Sequence, residues 1–166
     1  YRGVAANKLV YWGESHDTYS NDDGWSKRVK QTFIDRSYAI MAGNNDATSL
    51  YFSRPAATEK NSIKFGEKGS THFTAPEVAE VNHMHNICAG EPNYCVHNSD
   101  LMAQVRKSGA VIVLAGENKN KHVDVANGAG DGQWLEPGTY TDKVGGGTFT
   151  VTDATISGEV GSTGIA

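Results

Sequence analysis

The sequence predicts an α/β portion followed by an all-β portion, and two observations carry this prediction. In the first portion, short apolar runs alternate with longer segments of helical periodicity, as in a parallel sheet whose strands are joined by crossover helices. From about residue 100, short runs follow one another with turn signals about every 8–12 residues, as in an antiparallel sandwich. We therefore expect two units, residues 1–99 and residues 100–166.

The first unit is expected to read strand, helix, strand, helix. Apolar runs at 9–12 and 49–52 have the length of strands. Between them, apolar residues recur at helical spacing from Val29 to Met41, and Gly43 is expected to end that helix.

A second helix is expected to follow Thr74. Glu77 lies three residues later, which predicts a capping box, and Pro76 falls in the first turn, where its missing N–H is harmless. Gly90 would end the helix. One face of this helix carries Val78, Val81, His85 and Cys88.

The second unit is expected to be built from short strands. The Gly145–Gly147 run lacks the Lys-Ser/Thr ending of a phosphate-binding loop, so we expect it to be a turn. Thr163–Ala166 resembles the start of a final strand, so the sandwich is expected to be missing its last residues. The expected strands are 101–105, 110–115, 121–125, 133–135, 148–152 and 155–160.

The composition argues against two classes of function, nucleic-acid binding and membrane spanning. With 38% hydrophobic and 20% charged residues, the chain has the composition of a folded protein. The net charge of −4 and the lack of a basic face argue against nucleic acid, and no apolar run reaches the roughly 20 residues that cross a membrane. Cys88 and Cys95 fit no zinc pattern; they are either a disulfide or two free thiols.

A His-Asp pair stands where the first strand is expected to end. In barrel enzymes, active-site residues lie at the carboxyl ends of the strands. His16 and Asp17 directly follow the 9–12 run and precede a loop rich in turn-forming residues, Ser20 to Gly24. A His-Asp dipeptide alone is a weak signal, so its weight comes from this ordered context.

Three segments carry a resemblance to a known family: Trp12–Tyr19, the strand end Leu50–Pro55, and the pair His85-Asn86. Together they resemble the C-terminal part of the bacterial α-amylases of glycoside hydrolase family 13, of the type found in Bacillus subtilis. The resemblance implies the last two β/α units of a TIM (β/α)8 barrel in residues 1–99. A C-terminal antiparallel Greek-key β-sandwich would follow in residues 100–166.

The resemblance also implies an activity and a site. Family members hydrolyse internal α-1,4-glucosidic bonds of starch with retention, using a nucleophile, a general acid/base and a third carboxylate that stabilises the transition state. Asp17 matches the third carboxylate and His16 the neighbouring substrate-binding histidine. Asn21 is expected to line the same groove. Such enzymes act outside the cell, so an extracellular location is implied.

The other two carboxylates have no match in this chain. In the family they follow earlier barrel strands, so this chain alone is expected to be inactive. Its expected partners are a starch or maltodextrin substrate and the N-terminal remainder of the amylase barrel, with no nucleic acid and no membrane. No metal ligand is assigned in this chain, and a calcium ion in the parent enzyme would be held by segments absent here. Pairing Glu14 with Asp17 as acid and nucleophile is the less favoured alternative.

A second class of function stays open, a non-catalytic carbohydrate-binding or accessory module. Trp134 and Tyr140 would be a sugar-stacking platform in that case, although core packing is the more ordinary role of such aromatic residues. Trp25 would either contact sugar or cover the adjacent helix. Trp12 is expected in the barrel core.

Overall fold

The fold is described from a computed structural model, which covers residues 3–21, 24–44, 46–128 and 134–166. The α-helices of these residues are α1 (His16–Ser20), α2 (Gln31–Gly43) and α3 (Pro76–Ile87). The strands are β1 (Val10–Trp12), β2 (Thr48–Leu50), β3 (Tyr94–His97), β4 (Leu101–Val105), β5 (Ala110–Leu114), β6 (Lys121–Ala126), β7 (Gly138–Thr141), β8 (Thr148–Val151) and β9 (Thr155–Val160). Asp22, Asp23 and Gln133, which belong to predicted segments, lie outside the described residues.

One parallel β-α-β unit opens the fold. Strands β1 and β2 pair in parallel, with α2 between them in the chain and in contact with both. The predicted order of strand, helix and strand is therefore confirmed, and the short helix α1 is an addition. The opposite face of the strand pair carries Val10, Trp12 and Leu50, which are 49%, 54% and 51% exposed. Trp12 is therefore exposed in this chain, where no described residue covers that face, and its place in a barrel core stays a prediction.

The start of α3 differs from the prediction. The N-cap is Ala75, which makes no side-chain cap, and Pro76 is the first helical residue as expected. The capping box is wrong because the Thr74 hydroxyl donates instead to the Thr71 carbonyl, 2.9 Å away. A short 3-10 turn, His72–Thr74, thus takes the place of a capped start. The predicted apolar face is confirmed, since Val78, Val81 and Cys88 are buried.

The second half is an antiparallel sandwich. One sheet has the strand order β3-β4-β5 and the other β6-β9-β8-β7, the order of a Greek key. Side chains from both sheets form one apolar core, in which Val105, Val125 and Val160 are almost fully buried. Two of its strands, β3 and β7, were not predicted, and β3 lies before residue 100. The strand predicted at 133–135 is wrong for its described part, because Trp134 and Leu135 lie in a bend.

Strand β5 is buried on both faces, which explains why its sequence is apolar throughout. Ile112 and Leu114 face the sandwich core, whereas Val111 and Val113 pack on a second core with α2 and α3. Ile165 joins that second core and forms an isolated antiparallel bridge to Val113, outside the strands, where the start of a final strand was expected. The molecule is therefore layered as helices, sheet and sheet.

Two buried arginines join the helices to the sandwich. Arg36 on α2 donates to the carbonyls of Thr163, Leu114, Gly116 and Asn118. Arg106, at the end of β4, donates to the carbonyls of Asn44 and Cys88, the C-cap residues of α2 and α3. Because helix C-termini carry unpaired carbonyls and partial negative charge, one guanidinium here serves two helices.

The two cysteines are free thiols, which settles the alternative left open by the sequence. Cys88 is buried at the end of α3, while Cys95 is exposed on β3. Among the described residues, no helix has the length and apolar character needed to cross a membrane.

Candidate active site

The candidate site lies on α1, directly after β1. Ser15 is the N-cap of α1, and its Oγ accepts from the Thr18 N–H while the Thr18 hydroxyl accepts from the Ser15 N–H. This reciprocal capping box fixes the first turn, which carries His16 and Asp17. The predicted pair therefore stands at a strand end, on a short helix rather than in an open loop.

The structure brings the three predicted site residues together. The Asn21 side-chain amide donates to Asp17 Oδ1 at 2.9 Å, and His16 Nε2 lies 3.3 Å from the same oxygen. The second carboxylate oxygen of Asp17 has no hydrogen bond among those found in the described part of the chain. The side chains of His16 and Asp17 are 79% and 65% exposed, so they can reach a ligand, and solvent screens their mutual attraction.

Glu14 is held in a buried ion pair and is not free for acid/base work. Its side chain is fully buried, and Arg54 donates to both carboxylate oxygens, from Nε at 2.8 Å and from Nη2 at 2.9 Å. The hydrogen bonds to Glu14 raise the pKa of the Arg54 guanidinium, although burial acts in the opposite direction. The geometry therefore argues against Glu14 as the catalytic partner of Asp17.

Arg54 fixes the loop that carries the site. Beyond Glu14, its Nη2 donates to the carbonyls of Ser26 and Val29, and its guanidinium lies 5.1 Å from the ring centre of Tyr19 on α1. One side chain from the end of β2 thus contacts the segments on both sides of α1. Sequence reasoning did not assign this role, although Arg54 lies within the strand end that carries the family resemblance.

The three aromatic residues considered for sugar contact lie in different environments. Trp25 is 58% exposed and lies just before a 3-10 turn, Ser26–Arg28, so it is accessible to a ligand. Trp134 stacks on Tyr94 with ring centres 6.3 Å apart and also packs on the sandwich core. Tyr140 packs on the same core and donates its hydroxyl to the Glu136 carbonyl. Core packing therefore describes Trp134 and Tyr140 better than an open stacking platform does.

Sequence reasoning also missed a polar cluster behind the parallel strands. Among the described residues, one group of three metal-ligating side chains has its ligand atoms within 4.8 Å of one another: Asp35, His72 and Glu77. Asp35 lies 37 positions before His72, whereas His72 and Glu77 are close in sequence, and this spacing matches no metal motif. Calcium takes six to eight oxygen ligands, so a set of two carboxylates and one imidazole does not fit that ion. We therefore derive no calcium chemistry from this chain.

Known proteins similar to this chain include α-amylases of two bacteria. The chain is 31% identical to an α-amylase of Butyrivibrio fibrisolvens and 27% identical to an α-amylase of Clostridium acetobutylicum, in each case over 95% of the chain. It spans only 17% and 19% of those proteins. No protein-family model matches the chain. These similarities support an amylase-related chain and leave the Bacillus subtilis type a prediction.

Proposed function

We propose that this chain is the C-terminal part of an extracellular α-amylase that hydrolyses internal α-1,4-glucosidic bonds of starch with retention. The observation that carries the proposal is the similarity to two α-amylases along 95% of the chain. A His-Asp pair at the end of a parallel strand supports it, because barrel enzymes place their catalytic groups there.

Asp17 is the proposed transition-state-stabilising carboxylate. Charge develops on the sugar ring as it approaches an oxocarbenium ion, and a carboxylate nearby favours that charge. The Asn21 amide holds Asp17 Oδ1, which leaves the other oxygen for sugar hydroxyls. His16 lies beside it and is exposed, and we propose that it donates to the same sugar. Both side chains are open to solvent in this chain, so shielding has to come from other segments of the enzyme or from the substrate.

The nucleophile and the general acid/base are proposed to come from the remainder of the barrel. Retaining hydrolysis needs two carboxyl groups about 5–5.5 Å apart, and Glu14 is occupied by Arg54. The uncovered apolar face of β1 and β2, formed by Val10, Trp12 and Leu50, supports a missing partner. One side of each barrel strand normally packs in the barrel interior, and that side is apolar and half exposed here.

The test is Asp17→Asn in the full-length natural enzyme. Loss of the charge should lower kcat on starch at least about a hundredfold, while the Kd for maltodextrin changes little. Asp124→Asn is the matched control, because Asp124 is also an exposed aspartate beside a histidine, with a side chain 67% exposed, but it lies on β6 in the sandwich. Near-normal kcat in Asp17→Asn, or a comparable loss in Asp124→Asn, would remove Asp17 from the mechanism.

A second experiment tests the division of labour. The 166-residue chain alone should show no starch hydrolysis, and adding the N-terminal remainder should restore activity. Hydrolysis by the isolated chain would contradict the proposal that two catalytic carboxylates lie elsewhere. Starch binding by the isolated chain without restored activity would favour the binding-module alternative.

A further inference from the structure

Three side chains from different segments converge behind the parallel strands. Asp35 comes from α2, His72 from the 3-10 turn before α3, and Glu77 from the first turn of α3. His72 Nε2 lies 2.9 Å from Asp35 Oδ2 and 3.5 Å from Glu77 Oε1. All three ligand atoms lie within 4.8 Å of one another.

The two distances from His72 Nε2 are close to the spacing of ligands around a small tetrahedral ion. With metal–ligand distances of about 2.0–2.1 Å, two ligands of a tetrahedral zinc ion are about 3.3–3.4 Å apart. The two measured distances from His72 Nε2, 2.9 and 3.5 Å, bracket that value. An imidazole with two carboxylates is a mixed nitrogen and oxygen set that suits zinc, whereas calcium and magnesium prefer oxygen alone.

Two hydrogen bonds to one oxygen of the buried Asp35 carboxylate fix its orientation. Gln31 Nε2 and the Tyr51 hydroxyl both donate to Asp35 Oδ1 at 3.0 Å, so the remaining oxygen, Oδ2, is turned toward His72. Metal-binding carboxylates are held in this way by outer hydrogen bonds.

The cluster is open to solvent on one side and carries two carboxylates. The Asp35 side chain is 3% exposed, whereas His72 and Glu77 are 29% and 17% exposed, so a water molecule can reach the site as a fourth ligand. The two carboxylates lie in a partly buried place, where a divalent cation would offset their combined charge.

We propose that Asp35, His72 and Glu77 form a zinc site that fastens the start of α3 to α2. The ion would take Asp35 Oδ2, His72 Nε2 and Glu77 Oε1 as protein ligands and water as the fourth. By joining α2 to the turn and helix start that lie 37 or more positions later in the chain, it would stabilise the helical layer behind β1 and β2. The proposal stands independently of the amylase assignment.

The experiment is zinc titration of the longest natural chain that contains these residues, first stripped of metal with a chelator. Calorimetry should show one saturable Zn²⁺ site, and zinc should raise Tm. Glu77→Gln and His72→Ala should weaken binding at least about tenfold, since even the loss of an outer partner costs 10–100-fold. The control is Glu80→Gln with His83→Ala, because Glu80 and His83 form an exposed pair at 3.4 Å on the same helix.

Two results would overturn the proposal. The first is an absence of saturable binding by the native chain, and the second is equal binding by the Glu77→Gln and Glu80→Gln variants. If His72→Ala does not fold, Co²⁺ added to the unaltered chain gives an independent reading. A tetrahedral nitrogen and oxygen site gives strong visible absorption, which supports the proposal, and only the weak bands of octahedral Co²⁺ would contradict it.

Discussion

The buried pair of Glu14 and Arg54 should stabilise the fold far more than an exposed ion pair does. Removing one partner of a buried pair leaves an uncompensated charge, which costs about 3–5 kcal/mol. Glu14→Gln should fall in this range, because the Glu14 side chain is fully buried and that of Arg54 is 14% exposed. Arg54→Met should cost at least as much, since it also removes a donor to the Val29 carbonyl and one of the two donors to the Ser26 carbonyl, which keeps the Val29 N–H.

A double-mutant cycle isolates the pair. The double variant should lose about 2 kcal/mol less than the sum of the single variants, because the pair can be broken only once. Urea unfolding followed by tryptophan fluorescence measures each free energy of unfolding, and losses of this size are large against a total of about 5–15 kcal/mol. The control cycle uses Lys121 and Asp100, an exposed pair at 2.7 Å whose coupling should stay below about 1 kcal/mol. Additivity within about 0.5 kcal/mol for Glu14 and Arg54 would refute the reasoning.

Three further predictions test other parts of the fold. Gly164→Ala should lower the free energy of unfolding by at least about 2 kcal/mol more than Gly90→Ala. Both glycines have positive φ, but a Cβ at Gly164 would lie 1.9 Å from Arg36 Nη2, while one at Gly90 meets nothing within 4 Å; equal losses in thermal unfolding would contradict the Arg36 contacts. Burial raises the pKa of Cys88 to about 11, so at about pH 8 iodoacetamide should label Cys95 first, and Cys88 only as its thiolate forms near pH 11 or in urea. Rapid labelling of Cys88 in the native chain, read by peptide mass, would be inconsistent with its burial. Ser15→Ala should lower the free energy of unfolding by about 1 kcal/mol, whereas Thr74→Ala should lower it by no more than about 0.5 kcal/mol, because Ser15 caps a helix and Thr74 does not. A larger loss in Thr74→Ala than in Ser15→Ala would indicate that the capping box predicted at Thr74 forms after all.

Periodicity and turn residues predicted most of the elements, because these signals are local. Helix α2, strand β5 and strand β9 lie within a residue or two of their expected positions. Strand β3 was missed because its burial alternates weakly, and it is held by pairing with β4, a contact that a local pattern does not contain. The capping box predicted at Thr74 does not form, because the Thr74 hydroxyl instead donates to the Thr71 carbonyl and closes a 3-10 turn.

The candidate site was predicted as far as its own short segment allowed. The three predicted site residues are near neighbours in sequence: His16, Asp17 and Asn21. A single motif at a strand end was therefore enough to predict all of them. Arg54 and Glu14 are 40 positions apart, and only the parallel pairing of β1 and β2 brings their ends side by side. A single sequence does not encode which arginine meets which glutamate.

The same long-range contacts bear on the choice between a part of a larger enzyme and an autonomous sandwich. A free-standing module of residues 100–166 would expose Val111 and Val113, which are buried against α2 and α3. It would also lack β3 and leave Arg106 without the two helix C-termini that accept from it. Leaving a buried guanidinium and these two valines uncovered costs several kcal/mol, which is comparable with the whole stability of a small domain. The sandwich therefore depends on α2 and α3 for its stability. Helix α2 in turn packs on β1 and β2, whose opposite apolar face is uncovered and needs a further partner.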